Sequence, residues 1–195
     1  MANAYTNSGG SGNRTAWITV TTTTPLGAGN ITMLVNGSQA NELWWSNGQS
    51  GRELRFDFGV ARNIIEAKWY QDVAGTAHGD WKWQGSNDAS VWTDIGSFFT
   101  LGGSTLQTLT TLSANTNSWR YYRLLQINGT TSSSPFLREI EFNIDSTVTY
   151  PLEARLTQIG LEQWLTTNPE GRMTIMALEQ WGSVLGAQTF SARHV

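Results

Sequence analysis

Residues 80–95 read DWKWQGSNDASVWTDI and contain the clearest fold signal in the chain. In WKWQ, tryptophan alternates with polar residues, which is the pattern of a strand with one buried face. The following GSNDAS consists of residues that tolerate left-handed backbone conformations or hydrogen-bond their own backbone. We expect Val91 and Trp92 to return to the core. The stretch therefore predicts two strands joined by a turn.

The same texture continues on both sides of this stretch. In Glu53–Phe58, Leu54, Phe56 and Phe58 share one face and charged residues share the other. Further strands are expected at 119–127 and 137–144, and helical periodicity is nearly absent. Short strands separated by Gly, Asn, Ser and Asp clusters favour an all-β sandwich or jelly roll.

The composition excludes several classes of protein. The 195 residues include no cysteine and only 12 Lys and Arg, with a net charge of −3. These numbers exclude disulfides and thiolate metal sites, and they leave no basic footprint for nucleic acid. No apolar run approaches the roughly 20 residues that span a bilayer, so no membrane insertion is expected. The first residues lack the basic and apolar regions of a signal peptide, so Sec export is not expected.

Ten tryptophans are unusual in so uncharged a chain. Tryptophan is costly to place without burial or a ligand. We assign most of those in the main domain to the core, where they replace the disulfides of secreted domains. The core assignments are Trp17, Trp69, Trp81, Trp83, Trp92 and Trp119.

Three regions follow from the composition along the chain. Residues 7–13 are small and polar with no apolar residue to bury, and residues 1–13 are therefore predicted to form a flexible N-terminal arm. Residues 14–145 form the predicted sandwich. Residues 146–195 contain a linker and a repeat of 17 residues, in which Glu153–Trp164 aligns with Glu170–Trp181. We prefer strands for this repeat, and a helix remains an alternative.

The repeat carries a candidate assembly interface. A two-stranded ribbon with apolar residues on both faces is not stable alone in water. Its aromatic and apolar side chains are therefore expected to anchor contacts with other copies of the chain or with other proteins, and docking on the parent sandwich is the alternative. The interface residues are Leu161, Trp164, Leu165, Leu178 and Trp181.

Five ordered motifs in residues 14–145 resemble the discoidin family, also called the coagulation factor type C domain. The centre is GSNDAS followed by Trp92, and it is preceded by LRFDFG at 54–59 and by a single motif made of LVNG at 34–37 and WW at 44–45. Downstream, WRYYRL at 119–124 and REIEF at 138–142 resemble the last two strands of that family. The resemblance implies a discoidin-like β-sandwich jelly roll without catalytic activity. Members commonly bind glycans, lipids or proteins through loops at one end.

The same resemblance implies a structural Ca²⁺. Backbone carbonyls after Asn36 and a glutamate of the last strand would hold the ion, either Glu139 or, as second choice, Glu141. This chain has Asn36 where the family often has Asp, and Ala89 where it usually has Gly. The alternative is that Asn36 and Gly37 form a tight turn without a bound ion.

Sugar binding requires an aromatic face beside a few polar groups. Adjacent strand residues point to opposite faces, so Trp44 and Trp45 cannot both be buried in one core. For Trp81, burial in the core is the competing interpretation. The glycan candidates are Trp44, Trp45, Asn47, His78, Asp80 and Trp81.

Catalysis is not expected. His78 and His194 have no serine or cysteine partner at a recognisable spacing, and no nucleotide or nucleophile motif is present. Two carboxylates suffice for glycoside hydrolysis. Glu139 and Glu141 share one strand face about 7 Å apart and are more typical of a solvated face; Asp80 with Asp88 is the other pair.

The segment Ala154–Glu162 resembles an ending found in structural proteins of tailed bacteriophages. Together with the discoidin-like module, it favours a non-enzymatic virion protein, assembled in the host cytoplasm with copies of itself and other virion proteins. Its role would be decoration, or a part of a fibre, tail or baseplate, with adhesion to host glycans. The alternative is a carbohydrate-binding module of a cellular or enzyme-associated protein, and the third hypothesis is a glycosidase.

Overall fold

Ten β-strands, paired only in antiparallel fashion, make up the regular structure of residues 2–40 and 43–146, the part of the chain that the computed structural model describes. Two short 3-10 helices cover Ile31–Val35 and Thr110–Ala114. The strands are β1 Thr19–Thr22, β2 Leu26–Ala28, β3 Trp44–Trp45, β4 Glu53–Arg62, β5 Ile64–Gln71, β6 Ala77–Ser86, β7 Thr93–Gly102, β8 Leu106–Leu109, β9 Trp119–Asn128 and β10 Leu137–Ile144.

The strands form two facing sheets and a small ribbon. One sheet has the order β1-β4-β9-β6-β7, the other has the order β10-β5-β8, and β2 pairs with β3. The inner faces meet in one apolar core, where the Phe56 ring of β4 lies edge-on to the Phe142 ring of β10 at 5.2 Å. This arrangement is the predicted β-sandwich.

The strand patterns are confirmed where the sequence alternates. Leu54, Phe56 and Phe58 are buried on β4, and Trp81 and Trp83 are completely buried on β6. Their polar neighbours lie on the outer face of the sheet.

The turn after β6 is built as its residue types predict. The Asp88 carboxylate accepts hydrogen bonds from the backbone N–H groups of Ser90 and Val91 and from the Ser86 hydroxyl. These hydrogen bonds hold the pKa of Asp88 well below its ordinary value, and the bonds from the backbone N–H groups make the largest contribution. Ala89 has φ of +57°, the left-handed conformation that glycine adopts more easily.

Two of the tryptophans assigned to the core are not in it. Trp17 is 47% exposed, and Trp92 lies outside the five-stranded sheet, with its ring 4.1 Å from the Arg123 guanidinium and 5.1 Å from that of Arg55. The neighbouring Val91 is 73% exposed. The strand begins only at Thr93, so Val91 and Trp92 still belong to the turn. Trp69, Trp81 and Trp83 are buried as predicted, and Trp119 packs partly buried against the core.

The N-terminal segment was predicted to be a flexible arm, and the structure corrects this expectation. Ala4 pairs with Ile144 of β10, and the Phe142 N–H donates to the Gly10 carbonyl at 2.8 Å. Gly9 and Gly10 are buried. Small residues can approach an edge strand closely and satisfy its backbone groups, and apolar patterning does not reveal such pairing.

The predicted C-terminal repeat and its interface residues lie outside the described residues, and so does the choice between strand and helix there. The chain divides into two units, residues 1–149 and residues 150–195. Within the described part of the chain, no helix has the length and apolar character required to span a membrane.

Position 79 is expected to tolerate no side chain larger than that of glycine. It has φ of +83°, and a Cβ atom there would lie 2.5 Å from the Asn128 carbonyl oxygen of β9. Gly103 has φ of +91° with open space around it. We expect Gly103→Ala to lower the free energy of unfolding by about 1–2 kcal/mol through backbone strain, and Gly79→Ala to cost at least about 1 kcal/mol more. Urea unfolding measures both, and equal losses would contradict the close approach of β6 and β9.

Candidate functional site

Three loops meet at one end of the sandwich, and we call residues 46–52, 72–76 and 128–136 the loop end. The Thr131 backbone N–H donates to the Gln49 carbonyl and the Gly48 N–H donates to the Thr131 carbonyl, both at 2.8 Å. The Asp72 N–H donates to the Phe136 carbonyl at 3.0 Å, and the Asp72 carboxylate accepts from the Phe136 N–H at 2.9 Å. These bonds fix the three loops relative to one another.

An aromatic pair lies at the loop end, formed by Trp44 of β3 and Phe136, and we call it the aromatic platform. The two ring centroids are 4.8 Å apart with their planes tilted by 33°, and both side chains are partly exposed. The Trp44 indole lies against Gly27 of β2, where a Cβ atom would be 2.3 Å from Nε1. Glycine is therefore required at position 27 for Trp44 to occupy this place.

Trp45 anchors the platform from below. Its ring stacks on Trp81 at 5.5 Å and contacts Trp69 at 5.8 Å, and all three side chains are completely buried. The prediction that only one residue of the Trp44–Trp45 pair reaches the core is confirmed. Trp45 and Trp81 are wrong as glycan candidates, because a buried ring has no face available to a sugar.

His78 is also wrong as a glycan contact, since it is completely buried. Its Nδ1 accepts a hydrogen bond from the Ser132 N–H at 3.3 Å, and its ring lies edge-on to Trp45 at 5.0 Å. Nε2 has no hydrogen-bond partner among the described residues. Burial lowers the pKa of His78 to about 4, so the ring is neutral at physiological pH.

The remaining glycan candidates lie at the surface. Asn47 is exposed in the first loop of the loop end. Asp80 is partly buried on the outer face of β6, where its carboxylate accepts from the Thr100 hydroxyl at 2.6 Å. Of the glycan candidates, Trp44 and Asn47 therefore lie in the same surface region. Asp80 lies on a sheet face, where its carboxylate is hydrogen-bonded.

Phe136 was missed by the sequence reasoning. It lies between the predicted strands at 119–127 and 137–144, in the polar run TTSSSPF at 130–136. A lone aromatic residue in a polar loop is the type of signal that identified Trp44, and applied to this run it finds Phe136 as well.

The chemistry of the loop end suits a neutral, partly apolar ligand. The platform supplies two partly exposed aromatic side chains, and Asn47, Gln49 and Ser50 supply neutral hydrogen-bonding groups nearby in the chain. Arg52 is held inside the loop, where its guanidinium donates to the Gln49 amide oxygen at 2.9 Å. An aromatic surface with a few polar groups is the usual apparatus for a sugar ring.

The side chains named for calcium each have a hydrogen-bonding partner within the chain. The Asn36 side chain accepts from the Ser38 N–H at 2.8 Å, closing a local turn. The two Glu139 oxygens accept from the Arg14 guanidinium and from the Gly37 N–H, and the Glu141 carboxylate accepts from the Tyr70 hydroxyl at 2.8 Å. In the described residues, no three His, Cys, Asp or Glu side chains are grouped as metal ligands would be.

The carboxylate pairs considered for glycoside hydrolysis have other partners. Glu139 is buried against Arg14, and Glu141 receives the hydroxyl of Tyr70. Asp80 and Asp88 are engaged with Thr100 and with the turn after β6. All four carboxylates therefore accept hydrogen bonds from neighbouring groups of the chain.

Solved structures with a similar fold include carbohydrate-binding modules and a domain of a chitobiase. CpGH89CBM32-5 from Clostridium perfringens, in complex with GalNAc-β-1,3-galactose, has a TM-score of 0.51 and 14% identity, covering 68% of this chain and 99% of that one. The C-terminal domain of a chitobiase from Bacteroides fragilis has a TM-score of 0.50 and 16% identity, covering 66% and 93%. CBM32-3 from a family 31 glycoside hydrolase of Clostridium perfringens has a TM-score of 0.50 and 13% identity, covering 67% and 93%.

No family model matches the chain, and no curated protein matches it. At these identities the structural matches establish the fold. The described part of the chain is thus an all-β, discoidin-like sandwich, as the sequence motifs predicted.

The buried His78 predicts a specific pH dependence of stability. Its pKa is about 4 in the folded chain, against about 6.5 in the unfolded chain. The unfolded state therefore binds a proton first as the pH falls, and folding loses free energy from about pH 6.5 down to about pH 4. We expect the free energy of unfolding to fall by about 2 kcal/mol between pH 7 and pH 5 through this group.

Urea unfolding at both pH values, on the unchanged chain and on His78→Gln, measures this effect. The variant should lose most of the difference between the two pH values. An equal pH dependence in the two proteins would contradict a neutral, desolvated His78.

Proposed function

We propose that this chain is a non-catalytic carbohydrate-binding module that holds a glycan on the aromatic platform of Trp44 and Phe136. The observation that carries the proposal is a partly exposed aromatic pair on a hydrogen-bonded loop end. The fold is also similar to that of a carbohydrate-binding module solved in complex with a glycan, which supports a glycan as the ligand.

The platform is preorganised, and this favours binding. Trp44 is held between Phe136 and the Gly27 backbone, while Trp45 is immobilised in the core below. A side chain that is already fixed loses little rotamer entropy when a ligand settles on it. The neutral loop residues leave hydroxyl recognition to amide and hydroxyl groups, which suits an uncharged sugar.

Substitution of Trp44 tests the site. We expect the full chain to bind members of a glycan array that includes GalNAc-β-1,3-galactose, and Trp44→Ala to weaken the binding by at least about tenfold, equivalent to about 1.4 kcal/mol. Trp44→Phe should retain most of the affinity because it keeps an aromatic face. Isothermal titration with the strongest array ligand measures the dissociation constants.

Trp92→Ala is the matched control, because Trp92 is also a partly exposed tryptophan but lies over Arg123 on the outer sheet face. Its dissociation constant should equal that of the unchanged chain. Loss of binding in Trp92→Ala with normal binding in Trp44→Ala would move the site to the sheet face. Absence of binding to every glycan would refute the proposal.

A second proposal concerns residues 150–195. We propose that the repeat attaches the module to a larger assembly such as a bacteriophage particle. Support comes from the sequence alone, where Glu, Arg, Thr, Leu, Glu, Gln and Trp recur at equivalent places of the two units. Trp164 and Trp181, with Leu161, Leu165 and Leu178, would supply the interface, as aromatic residues commonly do.

The oligomeric state of the full chain tests this second proposal. We expect an oligomer in analytical ultracentrifugation, and a shift toward monomer when Trp164→Ala and Trp181→Ala are combined. Trp17→Ala is the control, since that tryptophan is exposed on the sandwich and should leave the oligomer intact. A monomeric full chain, or an oligomer that survives the double substitution, would contradict the proposal.

A further inference from the structure

Arg14 is completely buried and surrounded by oxygen atoms. Its Nε donates to the Gly12 carbonyl at 2.9 Å, Nη1 donates to the Gly10 carbonyl at 2.7 Å, and Nη2 donates to the Glu139 carboxylate. Two backbone carbonyls and one carboxylate thus enclose a single positive charge. A buried ion pair of this kind is tolerated only when its remaining groups are hydrogen-bonded, as they are here.

The site joins three segments that are distant in sequence. The second oxygen of Glu139 accepts from the Gly37 N–H at 2.8 Å, and the Arg14 N–H donates to the Val35 carbonyl at 2.8 Å. A Cβ atom on Gly37 would lie 2.5 Å from the Gly12 carbonyl carbon, so the N-terminal segment passes directly over this turn. The guanidinium therefore ties the N-terminal segment and the turn at Asn36 to β10.

The oxygen donors around Arg14 are of the type that Ca²⁺ prefers, namely carbonyls and a carboxylate. They are nevertheless committed to N–H donors. At Gly37 the backbone presents an N–H group, and not a carbonyl, to Glu139. A calcium ion placed beside Glu139 would lie next to the positive charge of the buried Arg14 guanidinium. Like charges repel strongly where solvent is excluded.

We propose that the Arg14 guanidinium is a built-in cation that takes the place of the calcium ion implied by the discoidin resemblance, so that this sandwich folds without metal. The side chain supplies what the ion would supply, a positive charge that gathers carbonyl and carboxylate oxygens from separate segments. It does so through directional hydrogen bonds of fixed geometry. The proposal is independent of glycan binding, because it concerns the folding of the sandwich.

Thermal unfolding of the full chain tests the proposal directly. We expect the same Tm in EDTA and in millimolar CaCl₂, and no heat of binding when CaCl₂ is titrated into the chelator-treated protein. A resident calcium site would instead raise Tm by about 5 °C or more at a calcium concentration about 100-fold above Kd. A calcium-dependent rise in Tm that disappears in Glu139→Gln would overturn the proposal.

Variants then test the role of the guanidinium itself. Arg14→Ala and Arg14→Lys should both lower Tm. The lysine variant should lower it less, because lysine keeps the positive charge but lacks the planar guanidinium with its three donor nitrogens. In the Glu139→Gln background, Arg14→Ala should cost much less than in the unchanged chain, which is the coupling expected of a direct pair. Equal costs in both backgrounds would contradict the assignment.

Arg62→Ala is the matched control. Arg62 is also buried and paired, with its Nε donating to the Asp145 carboxylate at 2.8 Å. It should lower Tm to the same extent with and without Glu139→Gln, because the two pairs share no partner. If Arg14→Ala does not fold, the calcium comparison on the unchanged chain still decides the proposal.

Discussion

The burial of Trp45 is the constraint on which the candidate site depends. Trp45 stacks on Trp81 and contacts Trp69 at the centre of the aromatic core. Because adjacent strand residues face opposite sides, a buried Trp45 forces Trp44 outward. Gly27 and Phe136 then receive the Trp44 ring from two sides. The partly exposed aromatic platform is therefore a consequence of core packing.

The polar part of the molecule is organised by buried pairs in a chain without cysteine. Arg14 with Glu139 and Arg62 with Asp145 each connect β10 or its end to an earlier segment. In both pairs the guanidinium also donates to backbone carbonyls of the N-terminal segment, Gly10 and Gly12 in one case and Ser8 in the other. Removal of one partner would leave a buried charge uncompensated, which is more costly than the loss of a surface pair.

The sequence predicted the parts of the fold in which side-chain period and burial coincide. Leu54, Phe56 and Phe58 alternate along a regular strand, so their burial could be read directly. Trp92 could not be placed in this way, because the turn includes the apolar residues Val91 and Trp92 and so continues two residues further than predicted, which leaves the Trp92 ring over Arg123. The N-terminal segment was misjudged for a related reason. Its contacts with β10 are made by backbone groups of Ala4 and Gly10 and by the side-chain amide of Asn7, and hydrophobicity carries no information on them.

The candidate site was predicted in part. The prediction failed where contacts between residues distant in sequence decide the structure. Alternation restricted the surface aromatic to one of Trp44 and Trp45, but only tertiary packing decides which, and only the fold brings Phe136 beside it. Glu139 lies on the polar face by period, yet Arg14, 125 residues earlier in the chain, covers it. Pairings between residues so far apart follow from topology and leave no periodic signal.

The most direct test of the glycan site is an NMR titration of the full chain that follows the indole N–H signals of its tryptophans while a bound glycan from the array is added. The account predicts that the Trp44 signal shifts in proportion to the bound fraction while the Trp92 signal stays in place. Shifts confined to Trp92, or to no tryptophan of the sandwich, would contradict the assignment of the glycan to the platform of Trp44 and Phe136.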